Sequence, residues 1–128
     1  MKIEHIALWT NQLEAQKNFY ETYFAAQAGD KYTHAEIGFE SYFLTFPSGG
    51  PRLELMSMPD ITPAPPAARL LGLVHIAFSA GSKEEVDRLT ARLDKDGFRV
   101  ASQPRTTGVG YYESIILDPD GNQVEITL

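Results

Sequence analysis

The 128-residue chain sets 11 Lys and Arg against 17 Asp and Glu, for a formal charge of −6, and contains no cysteine. This length fits one ordinary domain that buries a core without staples, and the absence of thiols excludes disulfides, thiolate nucleophiles and Cys-rich zinc sites. The acidic balance argues against nucleic acid, which needs a basic footprint, and no apolar run approaches the ~20 residues of a membrane helix.

In chain order, Lys2, Glu4 and His5 come at once and leave no room for the apolar centre of a signal peptide, so a cytoplasmic protein is expected. Residues 2–10 alternate as a strand. Asn11 with Glu14 three positions on predicts a capped helix start, and Leu13, Phe19, Tyr20, Tyr23 and Phe24 give that helix an apolar stripe ending near Gly29. Strands are predicted at 31–37, 41–46 and 52–58, broken by Gly38-Phe39-Glu40 and by the turn residues Pro47-Ser48-Gly49-Gly50-Pro51. The Pro-rich stretch 59–72 reads as a linker. A strand follows at 73–79, then a capping box at Ser82-Lys83-Glu84-Glu85, a helix with Val86, Leu89 and Leu93 inward, and a stop at Gly97. The last strands are predicted at 98–103, 111–117 and 123–128, with Asp118-Pro119-Asp120-Gly121 as the final turn. Each half is β-α-β-β-β, an α+β plan of two modules, 1–58 and 73–128, within a single domain 1–128.

The two halves also repeat in their residues. Ile3-Glu4-His5-Ile6-Ala7-Leu8 returns as Leu73-Val74-His75-Ile76-Ala77-Phe78, and Arg52-Leu53-Glu54-Leu55-Met56 returns as Gln123-Val124-Glu125-Ile126-Thr127. His5 precedes Glu54 by 49 positions and His75 precedes Glu125 by 50. Strand parity sharpens the match, because alternate side chains face opposite ways. In all four strands the face opposite the His or Glu is aliphatic or aromatic, as a helix-covered surface requires, while the His and Glu faces are smaller and more polar. Two His and two Glu at matched places are expected to converge on one cation.

These features resemble the vicinal oxygen chelate superfamily, which includes glyoxalase I, extradiol dioxygenases and bleomycin-resistance proteins. The resemblance spans the whole chain and is carried by the two His-Ile-Ala strands and by Leu117-Asp118-Pro119-Asp120-Gly121-Asn122-Gln123-Val124-Glu125. It implies that paired modules form a barrel-like cleft around a divalent metal held by His5, Glu54, His75 and Glu125. That His/Glu/His/Glu set is the glyoxalase I-like pattern, whereas extradiol dioxygenases use two His and one Glu. Neutral Trp9 stands where glutathione-using members carry a basic residue, and Leu55-Met56-Ser57-Met58 lacks their usual Asn, so the metal is better supported than glutathione.

Two imidazoles and two carboxylates suit zinc, nickel, cobalt, manganese or iron. Such an ion polarises a carbonyl and stabilises an enediolate while Glu125 or Glu54, with Glu125 preferred, moves a proton between neighbouring carbons. The expected activity is that of a lyase or isomerase of the lactoylglutathione lyase type, acting on a small vicinal-oxygen substrate such as a hemithioacetal of a 2-oxoaldehyde. An extradiol-type dioxygenase and a non-catalytic drug-binding resistance protein are the alternatives. Arg105, in the segment from Gln103 to Glu113 that also holds Tyr112, suits a substrate carboxylate or phosphate. Trp9, Phe46, Met56 and Met58 suit the apolar wall of a pocket. His34 has no counterpart in the second half and reads as a surface or pocket-lining residue. An edge strand in each module invites pairing and makes a homodimer the expected assembly.

Overall fold

Each half places its helix over the apolar side of its own sheet, and this leaves the His and Glu side uncovered by that helix. The computed structural model describes residues 1–63, 65 and 71–128, which divide into two units, Met1–Leu70 and Leu71–Leu128. Part of the expected linker, residues 64 and 66–70, lies outside the described residues.

The first unit runs β1 (His5–Trp9), α1 (Leu13–Phe24), β2 (Gln27–Ala28), β3 (Tyr32–His34), β4 (Phe39–Thr45) and β5 (Arg52–Ser57). Its sheet is ordered β1-β5-β4-β2, with β3 also paired to β4. β1 and β5, the strands carrying His5 and Glu54, are parallel neighbours. Leu13, Phe19 and Tyr20 of α1 are buried together with Leu44, Leu53 and Leu55 of the sheet, and α1 packs on β4 and β5.

The second unit runs β6 (His75–Ser79), α2 (Lys83–Lys95), β7 (Val100–Thr106), β8 (Tyr112–Leu117) and β9 (Gln123–Thr127), ordered β6-β9-β8-β7 with β6 and β9 parallel. Val86 and Leu93 are buried with Ile116, Val124 and Ile126. A buried hydroxyl pair, Thr90 and Ser114 at 2.6 Å, pins α2 to β8, and Thr90 also donates to the Val86 carbonyl at 2.6 Å.

Several boundaries depart from the sequence expectation. Asn11 does not cap α1: Gln12 stands at the cap and its side chain makes no capping hydrogen bond to the helix start, and buried Thr10 accepts the Gln12 N–H at 2.8 Å instead. The helix ends at Ala25, in the left-handed region at φ 54°, rather than near Gly29, because Gln27 and Ala28 are drawn into pairing with Thr45 and Leu44. The strand expected at 31–37 shortens to Tyr32–His34, since the chain turns at Gly38. There φ is +66° and an added Cβ would lie 2.9 Å from the Pro59 ring, so glycine meets two requirements at once. β7 outlasts its expected end at 103 and passes through Pro104. It tolerates proline because it is the edge strand and its pairing with β8 carries register shifts. The Ser82 cap is formed as read, its side chain accepting the Glu85 N–H at 3.2 Å. Among the described residues no helix is long and apolar enough to cross a membrane.

Candidate functional site

Strand register fixes where each His and Glu meets. In β1 and β5, His5 is level with Arg52 and Ala7 with Glu54; in β6 and β9, His75 is level with Gln123 and Ala77 with Glu125. Each His therefore lies two positions diagonally from its Glu on the same face, with an alanine of the His-bearing strand directly opposite the acid. His5 Nε2 is 3.8 Å from Glu54 Oε2, and His75 Nε2 is 3.5 Å from Glu125 Oε2. The two imidazoles are well exposed, at 42% and 40%, while both carboxylates are sunk into the sheet face at 14%. These separations exceed a good hydrogen bond. Two donors each about 2.1 Å from one ion sit roughly 3 to 4 Å apart, so each pair has the chemistry and the span of two ligands of a borderline divalent ion. Among the described residues no group of three or more His, Asp or Glu is gathered for a metal; the structure brings the four expected ligands together as two pairs, one in each unit.

The surroundings of the pairs differ. In the first unit the Glu4 carboxylate meets His5 Nδ1 at 2.5 Å, accepts from Arg52 Nε at 2.9 Å and is ion-paired with Arg52 Nη2 at 2.6 Å. The His5 hydrogen bond, reinforced by Arg52 and opposed by burial, holds the Glu4 carboxyl below its ordinary range. Phe43, level with Glu54 on β4, meets the His5 ring edge to face at 5.5 Å and lies 4.1 Å beneath the Arg52 guanidinium. At the equivalent places of the second unit stand Val74, Gln123 and Ile115.

Turn chemistry supports the second acid. Asp118, buried in front of β9, accepts from the N–H groups of Asp120 and Asn122 at 3.0 and 2.8 Å and from the Asn122 amide at 2.8 Å. The run from Asp118 to Asn122 is thus a locked turn that sets the start of the strand carrying Glu125.

The other expected site residues are distributed unevenly. Trp9 is level with Met56 on the His5 face, is 48% exposed, and meets Phe39 edge to face, as does Tyr32. Ser41, level with Met56 and Tyr32, is buried on that same face. His34 is level with Phe39 and exposed. Phe46 lies just past β4, half-buried. Arg105 shares the Glu125 face, pairing with Glu113 at 3.6 Å and donating to Ser102 at 3.1 Å. Tyr112 does not join it: strand alternation turns it to the helix side, where its hydroxyl donates to Asp87 at 2.7 Å and Lys83 caps its ring. Glu4, Phe43 and Glu113 were not singled out from the sequence. Phe43 and Glu113 become legible once register is known, whereas Glu4, next to His5 in the chain, reaches the ring only by wrapping around the strand start.

A sequence profile of the glyoxalase/bleomycin resistance protein/dioxygenase superfamily matches residues 2–126. The chain belongs to that superfamily. It is 28% identical to an uncharacterized Bacillus subtilis protein, YqjT, over 97% of this chain and 96% of that one. The structure is similar to that of a possible glyoxalase from Bacillus cereus, at 26% identity and a TM-score of 0.73, covering 100% and 99% of the two chains. It is also similar to a lactoylglutathione lyase from Agrobacterium tumefaciens, at 26% identity and a TM-score of 0.68, covering 98% and 91%. Within the glyoxalase superfamily, the duplicated β-α-β-β-β plan accounts for the two equivalent His–Glu pairs.

Proposed function

We propose that this chain is a divalent-metal-dependent glyoxalase-like lyase or isomerase acting on a small substrate with vicinal oxygens. The observation that carries the reading is the equivalence of the two pairs: one imidazole and one half-buried carboxylate at the same register in both units. His5, Glu54, His75 and Glu125 are the ligands of one ion, either within a chain or by exchange between two copies. When bound, zinc, nickel, cobalt, manganese or iron in such a site polarises a carbonyl and holds adjacent oxygens. One carboxylate also acts as the base: Glu125, or Glu54, takes a proton from the carbon next to the carbonyl and returns it to the neighbouring one. Trp9 and Met56 offer an apolar wall, and Arg105 a charged hydrogen-bond donor for an anionic substrate end. The reading is supported by the similarity to a protein named lactoylglutathione lyase, from Agrobacterium tumefaciens, at 26% identity.

The test is turnover of 2-oxoaldehyde hemithioacetals, made with several thiols, by chelated protein to which nickel, cobalt, zinc or manganese is returned. Restored turnover that Glu125→Gln abolishes is the expected result; no turnover with any metal and thiol pair counts against the reading. A second reading draws on exposed Trp9 and Tyr32, both packed against half-buried Phe39 on the His5 face of the first unit. A protein that sequesters an aromatic metabolite or drug would bind it stoichiometrically and keep that binding in Glu54→Gln and Glu125→Gln.

A further inference from the structure

The first half-site carries a carboxylate that the second lacks. An ionised carboxylate only accepts hydrogen bonds, so the 2.5 Å contact between Glu4 and His5 requires the proton on Nδ1. Nε2 is then the free donor atom, and it is the atom that points to Glu54. Glu4 is itself held: its second oxygen takes a hydrogen bond from Arg52 Nε at 2.9 Å and is ion-paired with Arg52 Nη2 at 2.6 Å, its backbone carbonyl takes the Arg52 N–H at 3.0 Å, and Arg52 is stacked on Phe43. Phe43 also meets the His5 ring. The ring is thus held at its Nδ1 by Glu4 and by the perpendicular Phe43 ring. Among the described residues His75 has none of this: Val74 precedes it, Gln123 is level with it, and Ile115 is level with Glu125.

The geometry points to Glu4 as a positioning residue that holds His5 in the Nδ1–H tautomer with Nε2 presented as the ligand atom, so that the first His–Glu pair is pre-set for metal and the second is not. This rests on His5 being a ligand, as argued above. Carboxylate partners of this kind, removed from ligating imidazoles, typically cost about 10–100-fold in metal affinity. An imidazole left to water favours the opposite tautomer, with the proton on Nε2, and must give it up on binding.

Long-range 15N–1H spectra of the metal-free protein, recorded where the imidazoles are neutral, read the tautomers directly. His5 is expected as the Nδ1–H form and His75 as mainly Nε2–H. Glu4→Val, which copies the second unit, should turn His5 to mainly Nε2–H, whereas Glu4→Gln, which keeps an acceptor oxygen, should retain much of the native form. Zinc titration against a competing chelator should show Glu4→Val weakened about 10–100-fold and Glu4→Gln less. A wild-type His5 already in the Nε2–H form, or a His5 tautomer indifferent to Glu4→Val, overturns the assignment. Unchanged zinc affinity in Glu4→Val overturns it as well. Wild-type protein that binds no metal would defeat the proposed function, while the tautomer spectra would still decide the role of Glu4.

Discussion

The two units share one plan but spend their sequence differently. The second builds the more regular helix: α2 starts on a Ser82 cap and leaves through Gly97 at φ 94°. The first starts α1 without a side-chain cap and leaves it through an alanine at φ 54°. At the His–Glu pairs the order reverses. The first unit surrounds His5 with Glu4, Arg52 and Phe43, whereas His75 has Val74, Gln123 and Ile115 at those places. The backbone plan and the His and Glu positions are thus common to both copies, while capping and support of the imidazole differ in opposite directions. Fold stability and site preparation are separable demands on the same module.

The sharpest way to break the comparison is to remove one imidazole at a time. If the two pairs serve one ion, His5→Ala and His75→Ala should each lower zinc affinity by at least about 100-fold, beyond what loss of a supporting carboxylate costs. Bound metal, measured by elemental analysis at a concentration that saturates the native protein, should then fall from one per chain to near zero in either variant. Two ions per chain in the native protein, each variant losing one, would mean that each unit binds its own and would end the four-ligand reading.

Much of this plan was legible in the residues. Matching His and Glu spacings, together with strand parity, placed His5 with Glu54 and His75 with Glu125 on common faces, because parity is set by backbone geometry alone. Ser82 and Gly97 announced α2 through local chemistry that acts within a few residues. What escaped depends on partners distant in sequence. The end of α1 at Ala25 follows from pairing of Gln27 and Ala28 with a strand some seventeen residues on. The bond of Tyr112 to Asp87 depends on a helix twenty-five residues earlier in the chain, and the support of His5 by Glu4 depends on Arg52, nearly fifty residues away.

The next effect in size concerns how the acid of the second unit is placed. Asp118→Ala removes a buried acceptor of three hydrogen bonds and leaves the turn's N–H groups to find new partners. A loss of about 2–3 kcal/mol in urea-monitored unfolding is expected. A change below about 0.5 kcal/mol would show that the turn ahead of Glu125 is held without its carboxylate.

Grafting support from one unit to the other sharpens the comparison. Val74 is exposed and Gln123 is level with His75, so Val74→Glu with Gln123→Arg rebuilds the arrangement of Glu4 and Arg52. Zinc affinity should rise by up to about tenfold, the lower end of what such partners contribute. An affinity that stays level, with the His75 tautomer shifted to Nδ1–H, would mean that preparing the second imidazole brings no gain.

The smallest effect tests the helix ends. An L-residue in the left-handed region costs about 1–2 kcal/mol, and the greater freedom of glycine in the unfolded chain offsets about 0.5–1 kcal/mol of the relief. Ala25→Gly should therefore stabilise the protein by about 0.5 kcal/mol, and Gly97→Ala should destabilise it by a similar amount. At Gly97 nothing lies within 4 Å of the added Cβ, so backbone strain is the whole effect there. Both ends also close by a backbone contact from the residue after the left-handed one, Ala26 reaching back to the Tyr20 carbonyl at 3.2 Å and Phe98 to the Leu93 carbonyl at 2.9 Å. With both ends closed in this way, opposite shifts in the two variants would assign the difference to the single left-handed residue. Shifts of the same sign would place it in the packing of the helices instead.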